Sequence, residues 1–324
     1  MENDKLTVSF IIGHRYGVGV ANAIKLMLNN KHLRLDIGVS ACLHPKYAIV
    51  TGGYSDPRKM FKEQNVPYIL FDNVNESKVE RSIRDSKTNV IFVCGLRQII
   101  CDNILKIPSQ LIQDNSLYGE KHGVIGFHPG FLPDKAGASP VQWAILSQSS
   151  CIGLSAFFMD GKGIDNGPII TTKILDLPEW CDAKQLDEAI SFGISELLQI
   201  IFNMLQNGLT YIDQNNANLG QRKFSYQLMS KDSWLDFTKS ADELVILVRA
   251  FTFPYRMAYF VYMGHVVFVK YALANLKEKN GREGEVLRYQ NGVIEVQCSR
   301  GVIHLYGLVS TMNPLSFNAG DLLN

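Results

Sequence analysis

A histidine and a carboxylate stand in two neighbouring stretches whose composition suits acid–base chemistry. His128 follows the apolar run Val124–Phe127, which reads as a short strand, and Asp165 lies in the glycine-rich segment 160–167. Ligands of parallel sheets gather beyond the carboxyl ends of the strands, which is where His128 falls. A histidine beside a carboxylate can move a proton near neutral pH. Taken alone, each residue fits a structural role equally well, His128 as a strand cap and Asp165 as a turn residue.

The backbone around His128 is restricted. Pro129 follows it directly, and Leu132-Pro133 adds a second rigid turn, because a proline ring fixes φ. The run Ala136-Gly137-Ala138 carries no bulky side chain and permits close approach of another backbone. We therefore expect an ordered loop after His128.

The elements that position these residues alternate between strand and helix patterns over the first 205 residues. This alternation predicts an α/β unit with a mostly parallel sheet covered on both faces. Strands are predicted at Leu6–Ile12, Leu35–Ser40, Pro67–Phe71, Asn89–Cys94 and Val124–Phe127, with Leu154–Met159 and Pro168–Leu175 near the sheet edge. Helices are predicted at Val18–Leu28, Lys59–Gln64, Val74–Asp85 and Ala183–Leu205.

The pattern changes after the long helix. Residues 206–221 are rich in asparagine and glycine, show no periodicity and read as a linker. A helix is predicted at Ala241–Phe251. Short β-rich runs then predict a small antiparallel barrel or sandwich. These runs are Met257–Met263, Val266–Tyr271, Gly284–Tyr289, Val293–Gln297 and Val302–Tyr306.

Composition excludes several classes of protein. Hydrophobic residues make up 46% and charged residues 19%, as in a globular chain. No run reaches the roughly 18 apolar residues of a membrane span, and acidic residues precede the first apolar run, so we expect neither a membrane protein nor a signal peptide. The six cysteines form no CxxC pair, which predicts a cytoplasmic protein with reduced thiols and no metal site.

The charge is close to zero in both parts of the chain. Residues 206–324 hold 12 Lys+Arg against 10 Asp+Glu, and the remaining residues hold 20 against 21. A domain that binds a phosphate backbone needs a clear positive excess. We therefore expect no nucleic-acid partner.

A partial dinucleotide-binding pattern occurs near the N-terminus. Gly17-Val18-Gly19-Val20-Ala21-Asn22 follows the first strand and opens a helix, and Asp36 lies near the second strand. Asn22 replaces the third glycine of that pattern. A tight turn at a helix N-terminus explains the glycines more simply, and an NAD-dependent oxidoreductase stays open as an alternative.

The segment 124–167 resembles the active-site stretch of the 10-formyltetrahydrofolate-dependent formyltransferases. That family includes glycinamide ribonucleotide transformylase, methionyl-tRNA formyltransferase and the nucleotide-sugar N-formyltransferases. Its pattern is Asn-x-His-Pro-Ser-x-Leu-Pro, then Gly-x-x-Pro, then Asp-x-Gly. The matching residues occur in the same order: His128-Pro129, Leu132-Pro133, Gly137, Pro140 and Asp165-Asn166-Gly167.

Flanking segments extend the resemblance over roughly residues 5–310. Val93–Ile100 resembles the strand and loop whose backbone holds the pterin ring, and Lys231–Phe237 and Val248–Phe251 resemble the entry to the family's second domain. The resemblance implies a Rossmann-like, mostly parallel sheet followed by a small OB-like β domain. It divides the chain into a catalytic domain at 1–207, a linker at 208–235 and a C-terminal domain at 236–324.

The resemblance also assigns roles. His128 would stabilise charge on the formyl oxygen or move the amine proton, and Asp165 would orient His128. The cofactor would be 10-formyltetrahydrofolate, with no metal. Its binding residues would be Gln98, Ile99, Ile100, Gly126, Asp160, Gly163 and Ile164, and those of the acceptor Lys135, Gly137 and Arg249. A homodimer is compatible with the family.

Four positions depart from the family pattern. Gly126 replaces the asparagine that binds the formyl oxygen, and losing such a donor costs about 100–1,000-fold in rate unless another replaces it. Asn166, a backbone N–H or a water could serve instead. Gly130 replaces a hydroxyl residue, and Lys135-Ala136 replaces an aromatic residue and an arginine.

The acceptor is inferred by elimination. A tRNA enzyme must neutralise several phosphates, which the near-zero charge disfavours. The purine enzyme lacks a second domain of this kind. We therefore expect the small-molecule partner to be a UDP- or dTDP-linked amino-deoxy sugar, as used for surface glycans. Methionyl-tRNA formyltransferase and a catalytically silent binder of folate or sugar nucleotide remain alternatives.

Overall fold

The computed structural model describes residues 5–49, 53–108, 123–159, 161, 163–215, 221–276, 281–312 and 314–323. The chain divides into two compact units, which are described separately. The first comprises Met1–Pro140, Cys151–Asp176 and Asp187–Tyr226. The second comprises Val141–Ser150, Leu177–Leu186 and Gln227–Asn324.

One sheet forms the centre of the first unit. Among the described residues its strands are β1 (Leu6–Ile12), β2 (Leu35–Ile37), β3 (Ser40–Leu43), β4 (Tyr68–Phe71), β5 (Val90–Cys94), β6 (Val124–His128), β8 (Cys151–Phe158) and β9 (Ile169–Asp176). The order is β4-β3-β1-β5-β6-β8-β9, with β2 also beside β1. Pairings from β4 to β6 are parallel, and those of β8 and β9 are antiparallel. The predicted mostly parallel sheet is confirmed.

Helices pack against both faces of this sheet. Successive residues of a strand point to opposite sides, so neighbouring strand positions belong to different faces. The helices within the described ranges are α1 (Gly17–Asn29), α2 (Arg58–Glu63), α3 (Ser77–Asp85), α4 (Asp102–Leu105), α5 (Pro140–Leu146), α6 (Ala183–Asn207) and α7 (Ala241–Ala250), with 3-10 turns at Pro45–Ile49 and Ser230–Ser233. Ile11 belongs to the core on one side, which includes Ile83 of α3. Phe92 stacks on Phe10 and meets Phe202 of α6 edge-on.

The predicted second strand is in fact two strands. Leu35–Ser40 was expected to be continuous, whereas β2 and β3 separate at Gly38 and both pair with β1. The Gly38 N–H donates to the Val8 carbonyl, and a Cβ at Gly38 would lie 2.5 Å from the Ser9 Oγ. A side chain at position 38 would therefore require the buried Ser9 to shift.

Within the described residues, α6 is the one helix long and apolar enough to cross a membrane by length and composition. Half of its most apolar 18-residue window is buried inside the protein. Ile190, Ile194 and Ile201 have no exposed surface. The apolar stripe of this helix is thus used for packing.

The second unit holds antiparallel strands, as predicted. The described strands are β11 (Ala258–Tyr262), β12 (His265–Val269), β13 (Tyr271–Asn275), β14 (Val286–Gln290), β15 (Val293–Gln297), β16 (Val302–Tyr306) and β17 (Val309–Ser310). They form one sheet in the order β11-β12-β17 and another in the order β13-β16-β15-β14. The run predicted as Val266–Tyr271 breaks at Lys270, where the chain leaves the first of these sheets for the second.

Candidate active site

The structure brings together the two residues proposed from the sequence as an acid–base pair. His128 is the last residue of β6, and its ring is almost completely buried. Its Nδ1 lies 3.2 Å from Oδ2 of Asp165. This is the arrangement in which a carboxylate orients an imidazole ring. The catalytic role of both residues stays a prediction that this geometry supports.

Asp165 joins two loops of the site. Its Oδ2 also accepts a 3.0 Å hydrogen bond from the backbone N–H of Gly137. The φ of Asp165 is +52°, in the left-handed region that residues other than glycine seldom adopt. The surrounding contacts must therefore hold this residue in place.

The second ring nitrogen of His128 is also engaged. Nε2 lies 2.6 Å from the backbone carbonyl oxygen of Lys135. Each ring nitrogen of His128 therefore faces an oxygen atom, the carboxylate of Asp165 at Nδ1 and the backbone carbonyl of Lys135 at Nε2. The Lys135 carbonyl oxygen therefore occupies the position from which a substrate group would contact Nε2.

Gly130 makes the contact with Lys135 possible. A Cβ at this position would lie 2.4 Å from the Lys135 carbonyl oxygen and 2.6 Å from Nε2 of His128. A side chain here would force those two atoms apart. The glycine that departs from the family pattern at position 130 therefore allows the Lys135 carbonyl to contact the His128 ring.

Packing also explains the glycine at position 126. Gly126 pairs with Phe157 across β6 and β8. A Cβ on Gly126 would lie 3.0 Å from Cζ of Phe157 and 3.1 Å from Sδ of Met159. These two side chains occupy the space that an asparagine at position 126 would enter. Asn166, considered as a substitute donor, is exposed and lies beside Gly163 in its own loop.

The predicted cofactor segment 98–100 is a fixed loop. The side-chain oxygen of Gln98 accepts from the Val74 N–H at 2.6 Å, and its Nε2 donates to the Asp72 carbonyl at 2.8 Å. Ile99 is 75% exposed, while Ile100 is buried. The Gln98 side chain thus shapes the loop, and the exposed Ile99 offers an apolar surface.

The other predicted binding residues have different surroundings. Ile164 is 55% exposed next to Asp165, and Asp160 lies outside the described residues. The Lys135 side chain extends to the surface. Arg249 belongs to the second unit, where its guanidinium donates two hydrogen bonds to the Cys181 carbonyl, at 3.1 and 2.8 Å. The binding roles of all of them stay predictions.

Sequence reasoning missed two residues beside the site. Gln214 and Arg222 lie in the stretch read as a linker, yet both bond to the backbone carbonyl of Asp165, at 2.9 and 3.0 Å. Residues 224–225 (β10) pair in parallel with Ala136–Gly137 (β7). No periodic pattern marks these contacts, because each depends on one side chain or two backbone residues.

The glycines of the partial dinucleotide pattern pack against the protein itself. A Cβ at Gly17 would lie 2.3 Å from the Ser55 carbonyl oxygen, and one at Gly19 would lie 2.1 Å from that of Ser191. The Val18 N–H, in the first turn of α1, donates to the Ser55 Oγ at 3.0 Å. The tight turn explains the glycines. Among the described residues there is also no cluster of side chains suited to a metal ion.

Two models of one protein family match this chain. Residues 53–198 match the formyl transferase model, and residues 227–321 match the model of the formyl transferase C-terminal domain. Together they take in about three quarters of the chain. The chain therefore belongs to the formyl transferase family and is a one-carbon transferase. This assignment replaces the oxidoreductase alternative.

Individual relatives differ in name. The methionyl-tRNA formyltransferase of Buchnera aphidicola subsp. Acyrthosiphon pisum is 26% identical over 77% of this chain and 75% of its own length. The N-formyltransferase of Helicobacter canadensis, solved with folinic acid and dTDP-3-aminofucose, has a TM-score of 0.64 at 14% identity, over 93% of this chain and 99% of its own.

A third similar structure is that of a longer protein. HypX from Aquifex aeolicus has a TM-score of 0.62 at 13% identity, over 95% of this chain. The chain spans 45% of the HypX chain. At these identities, the likeness to both solved structures shows a shared fold.

Proposed function

We propose that this protein transfers a formyl group from 10-formyltetrahydrofolate to the amine of a UDP- or dTDP-linked amino-deoxy sugar. The observation that carries the proposal is the His128–Asp165 pair, buried at the end of β6 in a chain of the formyl transferase family. An imidazole held by a carboxylate can accept and return the amine proton.

The proposed binding residues of the donor belong to the first unit. When bound, 10-formyltetrahydrofolate supplies the one-carbon group. Ile99 and Ile164 are large apolar side chains left exposed on loops of the first unit, and a flat ring system would cover such surfaces. The side chain of Gln98 is already bonded within the protein, so binding there falls to main-chain groups of residues 98–100. Gly126, Asp160 and Gly163 complete the proposed donor set.

We assign the transfer of the amine proton to His128. Asp165 accepts from Nδ1 and keeps the ring in one orientation. An incoming amine takes the place of the Lys135 carbonyl beside Nε2, and Nε2 accepts the amine proton in its unprotonated form. Lys135 and Gly137 remain the proposed contacts of the acceptor in the first unit.

Charge supports a small acceptor. Neither part of the chain has the positive excess that a polyanion requires, since the counts of basic and acidic residues nearly balance. The Helicobacter canadensis N-formyltransferase, which has a similar fold, was solved with dTDP-3-aminofucose, and this supports a sugar nucleotide as the acceptor. A sugar nucleotide needs only a few cationic contacts.

Methionyl-tRNA is the second candidate acceptor. Its support is the sequence similarity to methionyl-tRNA formyltransferases, of which the Buchnera enzyme is one. This candidate requires contacts to several phosphates. Binding that weakens steeply with added salt would therefore favour it.

The remaining parts of the proposal concern organisation. We retain residues 1–207 as the catalytic domain, 208–235 as the linker and 236–324 as the C-terminal domain. The six cysteines are free thiols, which fits a reducing compartment such as the cytoplasm. A homodimer is compatible with this proposal.

The first experiment measures thermal stabilisation by 5-formyltetrahydrofolate. A ligand at about 100 times its dissociation constant adds about 2.7 kcal/mol to the free energy of unfolding. Turnover is then followed by mass spectrometry with amino sugars linked to UDP or dTDP and with methionyl-tRNA, each beside 10-formyltetrahydrofolate. Formylation of the sugar supports the proposal, whereas formylation of the tRNA alone replaces it. Stabilisation without turnover of any acceptor contradicts it.

A further inference from the structure

One segment contacts both loops that hold His128. We call it the strap and define it as residues 212–215 and 221–225. Its first contacts reach the loop of Asp165, where Gln214 Nε2 donates to the carbonyls of Asp165 and Gly167, at 2.9 and 2.8 Å. Arg222 donates to the carbonyls of Asp165 and Ile164, and to the side-chain oxygen of Gln214 at 3.1 Å. The Asp165 backbone is thus held by two strap side chains.

The strap also holds the loop that carries the Lys135 carbonyl. The Ala136 N–H donates to the Lys223 carbonyl at 3.1 Å, and the Ala138 N–H donates to the Ser225 carbonyl at 2.9 Å. The Lys223 ammonium lies 3.0 Å from the carboxylate of Asp134. The strap therefore contacts the residues immediately before and after Lys135 in the sequence, Asp134 and Ala136.

These contacts converge on one side chain. Asp165 and Lys135 provide the oxygen atoms that face the two nitrogens of His128, at 3.2 and 2.6 Å. We propose that the strap sets the orientation of the His128 ring, with Gln214 as a positioning residue for Asp165. The kinetic part of this inference rests on the proposed function, while the structural part does not.

Gln214 is the strap residue best suited to this role. Only 8% of the surface of Gln214 is exposed, and both the amide donor and the oxygen of its side chain are used. Asp165 adopts the left-handed backbone region, which needs support from its surroundings. Without the two bonds from Gln214 Nε2, the backbone at Asp165 can relax and carry its carboxylate away from Nδ1 of His128.

The test substitutes Gln214→Glu, which keeps the shape of the side chain and removes its two donated bonds. The matched control is Gln199→Glu, because the Gln199 Nε2 donates to the Ala23 carbonyl at 2.8 Å away from the strap. Thermal melting checks that both variants fold. The first readout is the 15N chemical shift of the His128 ring, assigned by comparison with His128→Gln. It requires no turnover.

We expect the His128 Nδ1 resonance to move in Gln214→Glu and to stay in place in Gln199→Glu. With the acceptor that is turned over, we expect kcat of Gln214→Glu to fall about tenfold or more, because small misplacements of catalytic groups are costly. The KM should stay within about twofold, since the variant does not touch the acceptor. A fall in kcat without a change in KM, in a protein that melts normally, distinguishes a positioning role from a loss of folded protein.

An unchanged His128 resonance in a folded Gln214→Glu protein would overturn the inference, whatever the activity. An equal shift in Gln199→Glu would also overturn it, because the effect would then not be specific to the strap. If the wild-type protein formylates no acceptor, the proposed function fails while the resonance still decides the role of Gln214.

Discussion

The carboxylate of Asp165 lies between the ring of His128 and the backbone N–H of Gly137, at 3.2 and 3.0 Å. One side chain therefore links the end of β6 to the loop that closes over it. Its position makes Asp165 the most direct test of the proposed chemistry.

Replacing Asp165 by asparagine should lower kcat by on the order of 100-fold or more, because the ring loses the carboxylate that orients it. The amide oxygen can still accept from Gly137, so the fold should persist. Steady-state kinetics with the formylated acceptor measure the effect. Asp36→Asn, at an exposed residue paired with Lys5, is the control that keeps kcat. A loss below about threefold in Asp165→Asn would contradict the assigned role.

Restoring an amide at position 126 requires space. Gly126→Asn alone should lower the melting temperature, because its Cβ would press on Phe157 and Met159 at 3.0 to 3.1 Å. Combining it with Met159→Ala removes the contact with Met159 and should recover the part of the stability lost to that contact. If the glycine limits the rate, the double variant should raise kcat by about tenfold or more over Met159→Ala alone. An unchanged kcat would show that another donor already serves the formyl oxygen.

Gly130 should be intolerant of a side chain. Gly130→Ala is expected to cost about 1–3 kcal/mol in the free energy of unfolding, because its Cβ would meet the Lys135 carbonyl at 2.4 Å and backbone must move. Gly163→Ala is the matched control, since its nearest neighbour would be Cβ of Asn166 at 3.4 Å, an ordinary contact. Chemical denaturation measures both. Equal stability of the two variants would mean that the loop over His128 is not closed as described.

The pH dependence of stability should contain a contribution from His14. Burial, together with the charges of Arg97 and Arg15, lowers the pKa of His14 from 6.5 to about 2. Below pH 6.5 His14 is protonated in the unfolded chain but not in the folded chain. The free energy of unfolding therefore decreases as the pH falls from 6.5 towards 2. Between pH 7 and pH 5 this amounts to about 2 kcal/mol.

His14→Phe removes this titration and keeps a flat ring. Its free energy of unfolding should fall less than that of the wild type between pH 7 and pH 5, by about 2 kcal/mol. Urea denaturation at the two pH values gives the comparison. Parallel losses in both proteins would rule out His14 as the source.

Much of the fold follows from local patterns. The alternation of short apolar runs with helical spacing predicted the parallel sheet, and the strands β15 and β16 have the predicted bounds, Val293–Gln297 and Val302–Tyr306. Side-chain periodicity is a local property, so the chain displays it directly. The break at Lys270 escaped prediction because the β-rich pattern runs through it without interruption.

The sequence by itself determined which residues are available for chemistry, because the order of His128, Gly137 and Asp165 in one segment carries the family resemblance. Tertiary structure alone decided how those residues are held. The bonds from Gln214 to Asp165 and the closure of Lys135 over His128 join segments that no pattern connects. The reason is physical: each such contact depends on a few atoms brought together by folding, and it leaves no periodic trace along the chain.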